Sequence, residues 1–138
     1  MSGLLKVSEA ASLALHSMVA LARSAERPLP THRIAEAFDV SEAHLSKVLQ
    51  RLARVGLVKS IRGPKGGFVL AKPATEISLR DVYEAIDGPL TPTHCLFDDP
   101  VCDHEQCIFG DQLVQSSRAV TEYLSNTRLA ALADRLSV

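Results

Sequence analysis

Apolar side chains recur at helical spacing over most of this chain, and two short runs of strand-like composition follow residue 56. The first helix is predicted from Ser8 to Ser24, with Ser8 as its N-cap. Its apolar residues surround most of the circumference, so we expect it to be buried near the centre of the fold. Pro28 and Pro30 end it, because proline lacks an amide donor and disfavours helical geometry in the preceding residue.

Two capped helices separated by a short turn are predicted next. Thr31 is expected to cap a helix that reaches Phe38, and Ser41 to cap a longer one from Glu42 to about Val55. Apolar residues in the longer helix recur at spacings of three and four, at Leu45, Val48, Leu49, Leu52 and Val55. This order of short helix, turn and longer helix is a helix-turn-helix pattern.

Two short strands are predicted after the helix-turn-helix, at Leu57 to Ile61 and at Phe68 to Ala71. The loop between them contains glycines that permit positive φ, and it carries Arg62 and Lys65 near its tip. It lacks the Walker pattern of a nucleotide-binding loop. A basic hairpin in this place is typical of a winged-helix domain, whose wing meets the DNA backbone or the minor groove.

The C-terminal half is predicted to contain three further helices. Ser78 caps the first, with Asp81 as its capping-box partner, and Gly88 ends it. A long helix from Phe109 to about Ser125 has a thin apolar stripe, and the commonest partner for such a stripe is a two-fold copy of the same helix. A short helix over 127–136 follows. We therefore divide the chain into a winged helix-turn-helix domain (1–88), a cysteine-rich loop (89–108) and a dimerisation helix with a short terminal helix (109–138).

Charge is unevenly distributed along the 138 residues, although the formal net charge is only −1. Residues 31–66 carry a net charge of about +4, whereas residues 76–111 carry about −8. The first segment could face phosphates and the second would repel them. No apolar run is long enough to span a membrane and no signal peptide is evident, so we expect a cytoplasmic protein without a membrane partner.

The longer helix of the helix-turn-helix leaves short and basic side chains on its outer face, which suits insertion into a major groove. An ordinary solvated helix face would have a similar composition. The residues that we predict to contact double-stranded DNA are Ser41, His44, Ser46, Lys47, Arg51, Arg62 and Lys65.

All three cysteines of the chain lie in one acidic loop, at Cys95, Cys102 and Cys107. They are too few and too close together for a disulfide framework, and we expect a reducing compartment. Grouped thiolates suit a soft metal centre. The cysteine loop, residues 89–108, is therefore the strongest indication of function in the sequence.

Five segments are informative as a set: residues 34–38, Ser41 with Leu45, Lys47 and Val48, residues 56–58, the wing sequence over 62–71, and residues 77–82. Together they resemble the Rrf-type family of winged-helix transcription regulators, and the resemblance covers nearly the whole chain. The resemblance implies a homodimer that reads a palindromic operator. It also implies that the three cysteines bind a [2Fe–2S] or [4Fe–4S] cluster, although some members of the family have none.

The resemblance leaves the fourth ligand of such a cluster open. The cysteines are separated by six and four residues, whereas the familiar family spacing is nearer five and five. The position at which some members place a histidine ligand is Gly110 here, and in others an acidic side chain from the first helix of the other subunit completes the site. The partner's Glu9 would supply it. Glu9 could equally be a helix N-terminal glutamate that the macrodipole favours, and His94 and His104 are further candidates.

The resemblance thus implies a DNA-binding regulator, a repressor rather than an enzyme, whose operator affinity is switched by a cluster that senses redox state, nitric oxide or cluster supply. One alternative is a cluster-free regulator that uses the cysteines as a thiol switch. A second is a small iron–sulfur electron-transfer or carrier protein. A cysteine hydrolase is a weaker alternative, because neighbours in a loop seldom form a preorganised catalytic triad.

Overall fold

The structure, a computed structural model, describes residues 6–103, 106–136 and 138. Its elements are α1 (Glu9–Ser24), α2 (Thr31–Phe38), α3 (Glu42–Arg54), β1 (Val58–Ile61), β2 (Gly67–Leu70), α4 (Leu79–Asp87) and α5 (Gln112–Asn126), with 3₁₀ helices at Ala74–Glu76 and Leu129–Arg135. This arrangement confirms the predicted fold class, mainly α with a two-stranded hairpin.

Helix α1 is the centre of the hydrophobic core, as its apolar pattern predicts. Met18 and Leu21 are fully buried, and α1 packs against α3, α4, β2 and the terminal 3₁₀ helix. The Ser8 side chain caps α1 by accepting a 3.0 Å hydrogen bond from the backbone N–H of Ala11. The N-cap and the apolar residues of this central helix are therefore local in sequence, whereas the elements that pack against it come from the rest of the chain.

The helix-turn-helix consists of α2 and α3. The predicted cap of α2 is wrong by one residue, because Thr31 is already helical and Pro30 is the N-cap, without a side-chain hydrogen bond. The Pro30 carbonyl accepts the first helical bond, 3.1 Å from the backbone N–H of Arg33. Asp39 makes the turn in the left-handed region, with φ 53° and ψ 51°. The predicted cap of α3 is confirmed, since Ser41 Oγ accepts a 3.3 Å bond from the His44 N–H.

Strands β1 and β2 form the wing, an antiparallel hairpin in which Val58 pairs with Leu70. A single bridge between Leu29 and Phe68 adds the segment before α2 to this sheet, through two 3.0 Å backbone bonds. Gly67 permits that approach, because a Cβ there would lie 2.4 Å from the carbonyl carbon of Leu29. The wing is therefore fixed to the start of the helix-turn-helix.

Helix α4 has the predicted capping box, in which the Ser78 and Asp81 side chains each accept a bond from the other's backbone N–H. Helix α5 begins three residues later than predicted, because Cys107 to Asp111 form a turn in which Gly110 has φ 59°. The final segment is a 3₁₀ helix whose leucines, Leu129 and Leu132, are buried in the core.

Within the described ranges of the chain, no helix is both long and apolar enough to cross a membrane.

Candidate nucleic-acid interface and cysteine loop

Helix α3 presents its polar face to solvent because its apolar stripe is buried. Leu45 and Leu49 are fully inaccessible, whereas Lys47 is exposed. No hydrogen bond or ion pair to another described residue holds the Lys47 ammonium group. Ser46 is half-buried, and its Oγ accepts a 3.3 Å bond from Gln50 Nε2. Lys47 is therefore available for a phosphate, and Ser46 already has one local partner.

His44 lies in the first turn of α3, where the sequence predicts a place near the phosphates. Its Nε2 atom is shielded from solvent and has no hydrogen-bond partner among the residues that the structure describes. A buried polar atom without a partner is uncommon in native proteins. The backbone N–H of His44 is engaged in the Ser41 cap, and contact of Nε2 with DNA would require that buried atom to become accessible.

Arg51 differs from its neighbour on the same helix face, Lys47. Its Nη2 donates a 2.7 Å hydrogen bond to the backbone carbonyl of Ile86, in the last turn of α4. The sequence assigns Arg51 to DNA, but it gives no sign of this bond because the partner is a carbonyl 35 residues away. The structure thus gives Arg51 an internal contact between two helices.

The wing carries its two predicted basic residues at exposed positions. Arg62 and Lys65 lie in the turn between β1 and β2, and Ile61 beside them is 39% exposed. Gly66 holds this turn closed, with its N–H donating 2.9 Å to the carbonyl of Gly63. The tip therefore combines two cations with an exposed apolar side chain, a composition that suits the backbone or minor groove of DNA.

The three cysteines are free thiols, with Cys102 exposed and Cys95 and Cys107 half-buried. The pKa of the Cys102 thiol is raised, first by partial desolvation within the loop and then by the negative charges that Cys95 and Cys107 would carry. A side-chain hydrogen bond between Cys102 and Cys95 acts in the same direction. The Cys102 thiol is therefore within electrostatic range of both other thiols.

The backbone N–H of Phe97 donates a 3.4 Å hydrogen bond to Cys95 Sγ. Bonds of this kind stabilise thiolates and tune iron–sulfur centres. Among the described residues, however, no three His, Cys, Asp or Glu side chains are grouped closely enough to hold a metal ion. His104 lies outside the described residues, and His94 is exposed. The three thiols are the ligand type that an iron–sulfur cluster uses, and they lie in one loop. Within the described residues, however, they are not grouped closely enough to hold a metal ion.

Glu9 is the first residue of α1 and its side chain is exposed. It lies in a shallow depression with Lys6, Tyr83 and Asp87. The pKa of Tyr83 is raised there by burial and by the negative charge of Asp87. Glu9 thus has the two features that its candidate role requires, a free carboxylate and a position on the surface.

The cysteine loop is attached to the helices on either side of it. The Leu90 N–H donates 2.9 Å to Glu84 Oε2 in α4, and the Thr93 N–H donates 3.0 Å to Ser117 Oγ in α5. The hydrogen bond from Arg80 and the bond from Leu90 lower the pKa of Glu84. The loop is therefore fixed at its beginning before it reaches Cys95.

Exposed large apolar side chains are concentrated in the cysteine loop and in the turn before α5, and α5 itself adds Tyr123. Helix α5 has no fully buried residue, although it packs against α4. The exposed large apolar residues in this region are Leu96, Phe97, Val101, Ile108, Phe109 and Tyr123. Ile108 is 88% exposed, which is unusual for isoleucine in a folded protein. These side chains form a surface that the described residues of one chain leave uncovered.

The family model for Rrf2, described as iron-dependent transcriptional regulator, matches residues 7–135. The transcriptional regulator IscR of Serratia proteamaculans is 32% identical over 91% of this chain and 73% of its own length. The solved structure of CymR, the global cysteine regulator of Bacillus subtilis, has a TM-score of 0.79 at 31% identity, covering 97% of this chain and 100% of that one. The structure of IscR from T. potens has a TM-score of 0.71 at 28% identity, covering 96% and 90%.

These relatives are transcription regulators and not enzymes, which confirms that prediction. The chain belongs to the Rrf2 family of transcriptional regulators.

Proposed function

We propose that the protein is a homodimeric, DNA-binding repressor whose operator affinity depends on an iron–sulfur cluster held by Cys95, Cys102 and Cys107. The grouping of the three thiols within one loop of a helix-turn-helix regulator is the observation that carries this proposal. The regulator would act in the cytoplasm, where its thiols stay reduced and the chromosome is accessible.

The DNA-binding part of the proposal uses α3 and the wing. Helix α3 enters the major groove, with Lys47 on a phosphate and Ser46 toward a base edge. Ser41 and His44 lie near the phosphates at the N-terminus of the same helix, where the macrodipole favours an anion. Arg62 and Lys65 bring the wing to the neighbouring backbone or minor groove.

The dimer part of the proposal depends on α5. Its apolar residues are only half-buried within one chain, and Tyr123 remains 53% exposed. A second copy of α5, packed across a two-fold axis, would cover them. The two α3 helices of the dimer would then face the half-sites of a palindromic operator, which lie one turn of the DNA helix apart, roughly 34 Å.

The cluster part of the proposal assigns three thiolate ligands to the cysteines and a fourth ligand to the partner's Glu9. A cluster bound by these residues would react with oxidants and nitric oxide. The chain's own residues hold the start of the loop against α4 and α5, through Glu84 and Ser117. The backbone N–H of Phe97 also stabilises negative charge on the Cys95 sulfur. The ordering of the loop would therefore depend on whether the thiolates are held together.

A thiol switch without a cluster is the second candidate, and the hydrogen bond between the Cys95 and Cys102 side chains favours it. In that mechanism both thiols would lose a proton and together release two electrons to a peroxide, which is reduced to water or an alcohol while the disulfide forms. The similarity to CymR, a cysteine regulator, is compatible with this chemistry.

Anaerobic purification separates these candidates. The absorbance spectrum and the iron and sulfide content per chain are measured on the wild type and on Cys95→Ala, Cys102→Ala and Cys107→Ala. Stoichiometric iron and sulfide in the wild type, lost in each variant, would support the cluster. Iron-free protein that forms a Cys95–Cys102 disulfide under peroxide would support the thiol switch.

A further inference from the structure

The last turn of α4 is the meeting point of other parts of the chain. The Ile86 carbonyl accepts the 2.7 Å bond from Arg51 of α3. The Asp87 carboxylate accepts two bonds from Ser8, 2.6 Å from its Oγ and 3.3 Å from its backbone N–H. We name residues 84–87 the α4 junction, because α3 and the start of α1 both attach there.

The cysteine loop attaches to the same turn. Glu84 Oε2 accepts the bond from the Leu90 N–H, and Glu84 Oε1 accepts a 2.8 Å bond from Arg80 Nε. Arg80 in turn donates a 3.2 Å bond to Ser125 Oγ of α5. Displacement of the first loop residues would therefore change the hydrogen bonds of Glu84. Glu84 lies two residues before Ile86, whose carbonyl binds Arg51.

Arg51 and Lys47 are one helical turn apart on α3, so an unbound Arg51 would be placed much like Lys47. The structure instead directs the Arg51 guanidinium to the C-terminal end of α4. A cation is favoured there, because the last carbonyls of a helix lack internal partners and carry the negative end of the macrodipole. Charge-assisted bonds of this kind are stronger than neutral ones.

We propose that the α4 junction transmits the state of the cysteine loop to α3, and that Arg51 is a positioning residue rather than a phosphate ligand. This inference rests on the proposed function, because it names the internal path by which that function is regulated. Glu84 binds the start of the loop, so it responds to a change in the loop. The Arg51–Ile86 bond then sets the orientation of α3. Coupling of this kind requires two states with different DNA affinity, each favoured by a different state of the loop.

The test compares two variants that each remove one positive charge from the same face of α3, Arg51→Gln and the control Lys47→Gln. The probe is a duplex selected by the wild-type protein from a random library. Its affinity is measured against salt concentration for cluster-loaded protein and for protein stripped of iron by a chelator. Two quantities result for each variant, the salt slope and the ratio of affinities between the two states.

We expect Lys47→Gln to lower the salt slope by about one and to leave the affinity ratio as in the wild type. Arg51→Gln should leave the salt slope unchanged and bring the affinity ratio toward one. Allosteric couplings usually correspond to 5–150-fold, so a full loss of the ratio would be readily measured. Glu84→Ala, which leaves α3 unchanged, should also reduce the affinity ratio. It replaces Arg51→Gln as the test variant if Arg51→Gln does not fold.

Two results overturn the inference while leaving the proposed function intact. One is an unchanged affinity ratio in both Arg51→Gln and Glu84→Ala. The other is a loss of about one in the salt slope of Arg51→Gln, which would make Arg51 a phosphate ligand. Equal DNA affinity of loaded and stripped wild-type protein would instead contradict the proposed function. It would also contradict transmission through the α4 junction.

Discussion

Ser8 Oγ donates a 2.6 Å hydrogen bond to Asp87 Oδ1, which ties the first turn of α1 to the last turn of α4. The same oxygen accepts the capping bond from the Ala11 N–H. One hydroxyl group therefore caps the central helix and holds the end of the helix that packs beside it. Glu9, the candidate cluster ligand, is the next residue in the chain.

This double role predicts that Ser8→Ala is more destabilising than the loss of an ordinary cap. Ser41→Ala is the matched control, because Ser41 caps α3 without a second partner among the described residues. We expect Ser8→Ala to lower the free energy of unfolding by about 2 kcal/mol and Ser41→Ala by about 1 kcal/mol. Urea denaturation measures both values. Equal losses would show that the bond to Asp87 contributes nothing to stability.

The lowered pKa of Glu84 predicts a dependence of stability on pH. A carboxyl group whose pKa is lowered by folding stabilises the native state above its unfolded value, 4.5, and that contribution is lost as the pH falls through the folded value. Arg80 is the main cause, and the Leu90 N–H is the second. Glu84→Gln should therefore flatten the decline in free energy of unfolding between about pH 5 and pH 3.

Urea titrations at several pH values measure that decline. Glu36→Gln is the control, because Glu36 is exposed and its side chain has no bonded partner in the described part of the chain. Its profile should match that of the wild type. A Glu84→Gln profile as steep as the wild-type one would contradict the role assigned to the Arg80–Glu84 pair.

The wing predicts a loss of DNA affinity that is independent of the cluster. Arg62→Gln and Lys65→Gln each remove one exposed cation from the hairpin tip, so each should lower the salt slope of DNA binding by about one. The loss should be the same in cluster-loaded and stripped protein, because neither residue contacts the α4 junction. Arg135→Gln, in the terminal 3₁₀ helix, should leave the slope unchanged. Fluorescence anisotropy at a series of salt concentrations measures these slopes.

The exposed apolar surface of α5 predicts a dimer that a single charge can disrupt. Tyr123 is 53% exposed in one chain, so a second copy of α5 would bury it. Tyr123→Arg should weaken dimerisation at least tenfold, about 1.4 kcal/mol, because an unpaired charge would be buried at the interface. Glu122→Arg, at the neighbouring exposed position, is the control. Sedimentation equilibrium measures both, and a Tyr123→Arg dimer as tight as the wild type would exclude α5 as the interface.

Local signals in the sequence predict most of the fold. Ser8, Ser41 and Ser78 cap their helices as predicted, because an N-cap depends on a hydroxyl group and backbone within three residues. The wing follows from two strand-like runs and the glycines between them. Thr31 was a misleading signal because Pro30, with its fixed φ, can begin a helix without a side-chain cap.

The relationships at the α4 junction could not be predicted in this way. The bond from Arg51 to Ile86 joins residues 35 positions apart, and that from Ser8 to Asp87 joins residues 79 apart. Neither pair has a recognisable spacing, and one acceptor is a backbone carbonyl, whose identity leaves no trace in the sequence. Basic residues on an outer helix face predict DNA contact equally for Lys47 and Arg51, and only the tertiary structure shows that Arg51 also bonds to Ile86.

The most direct test of the proposed function is the affinity of the anaerobically purified protein for its selected duplex, measured before and after the iron is removed. We expect the two affinities to differ at least fivefold, and a variant with all three cysteines changed to alanine to bind like the stripped protein. Identical affinities of the loaded, stripped and cysteine-free proteins would contradict the proposed function.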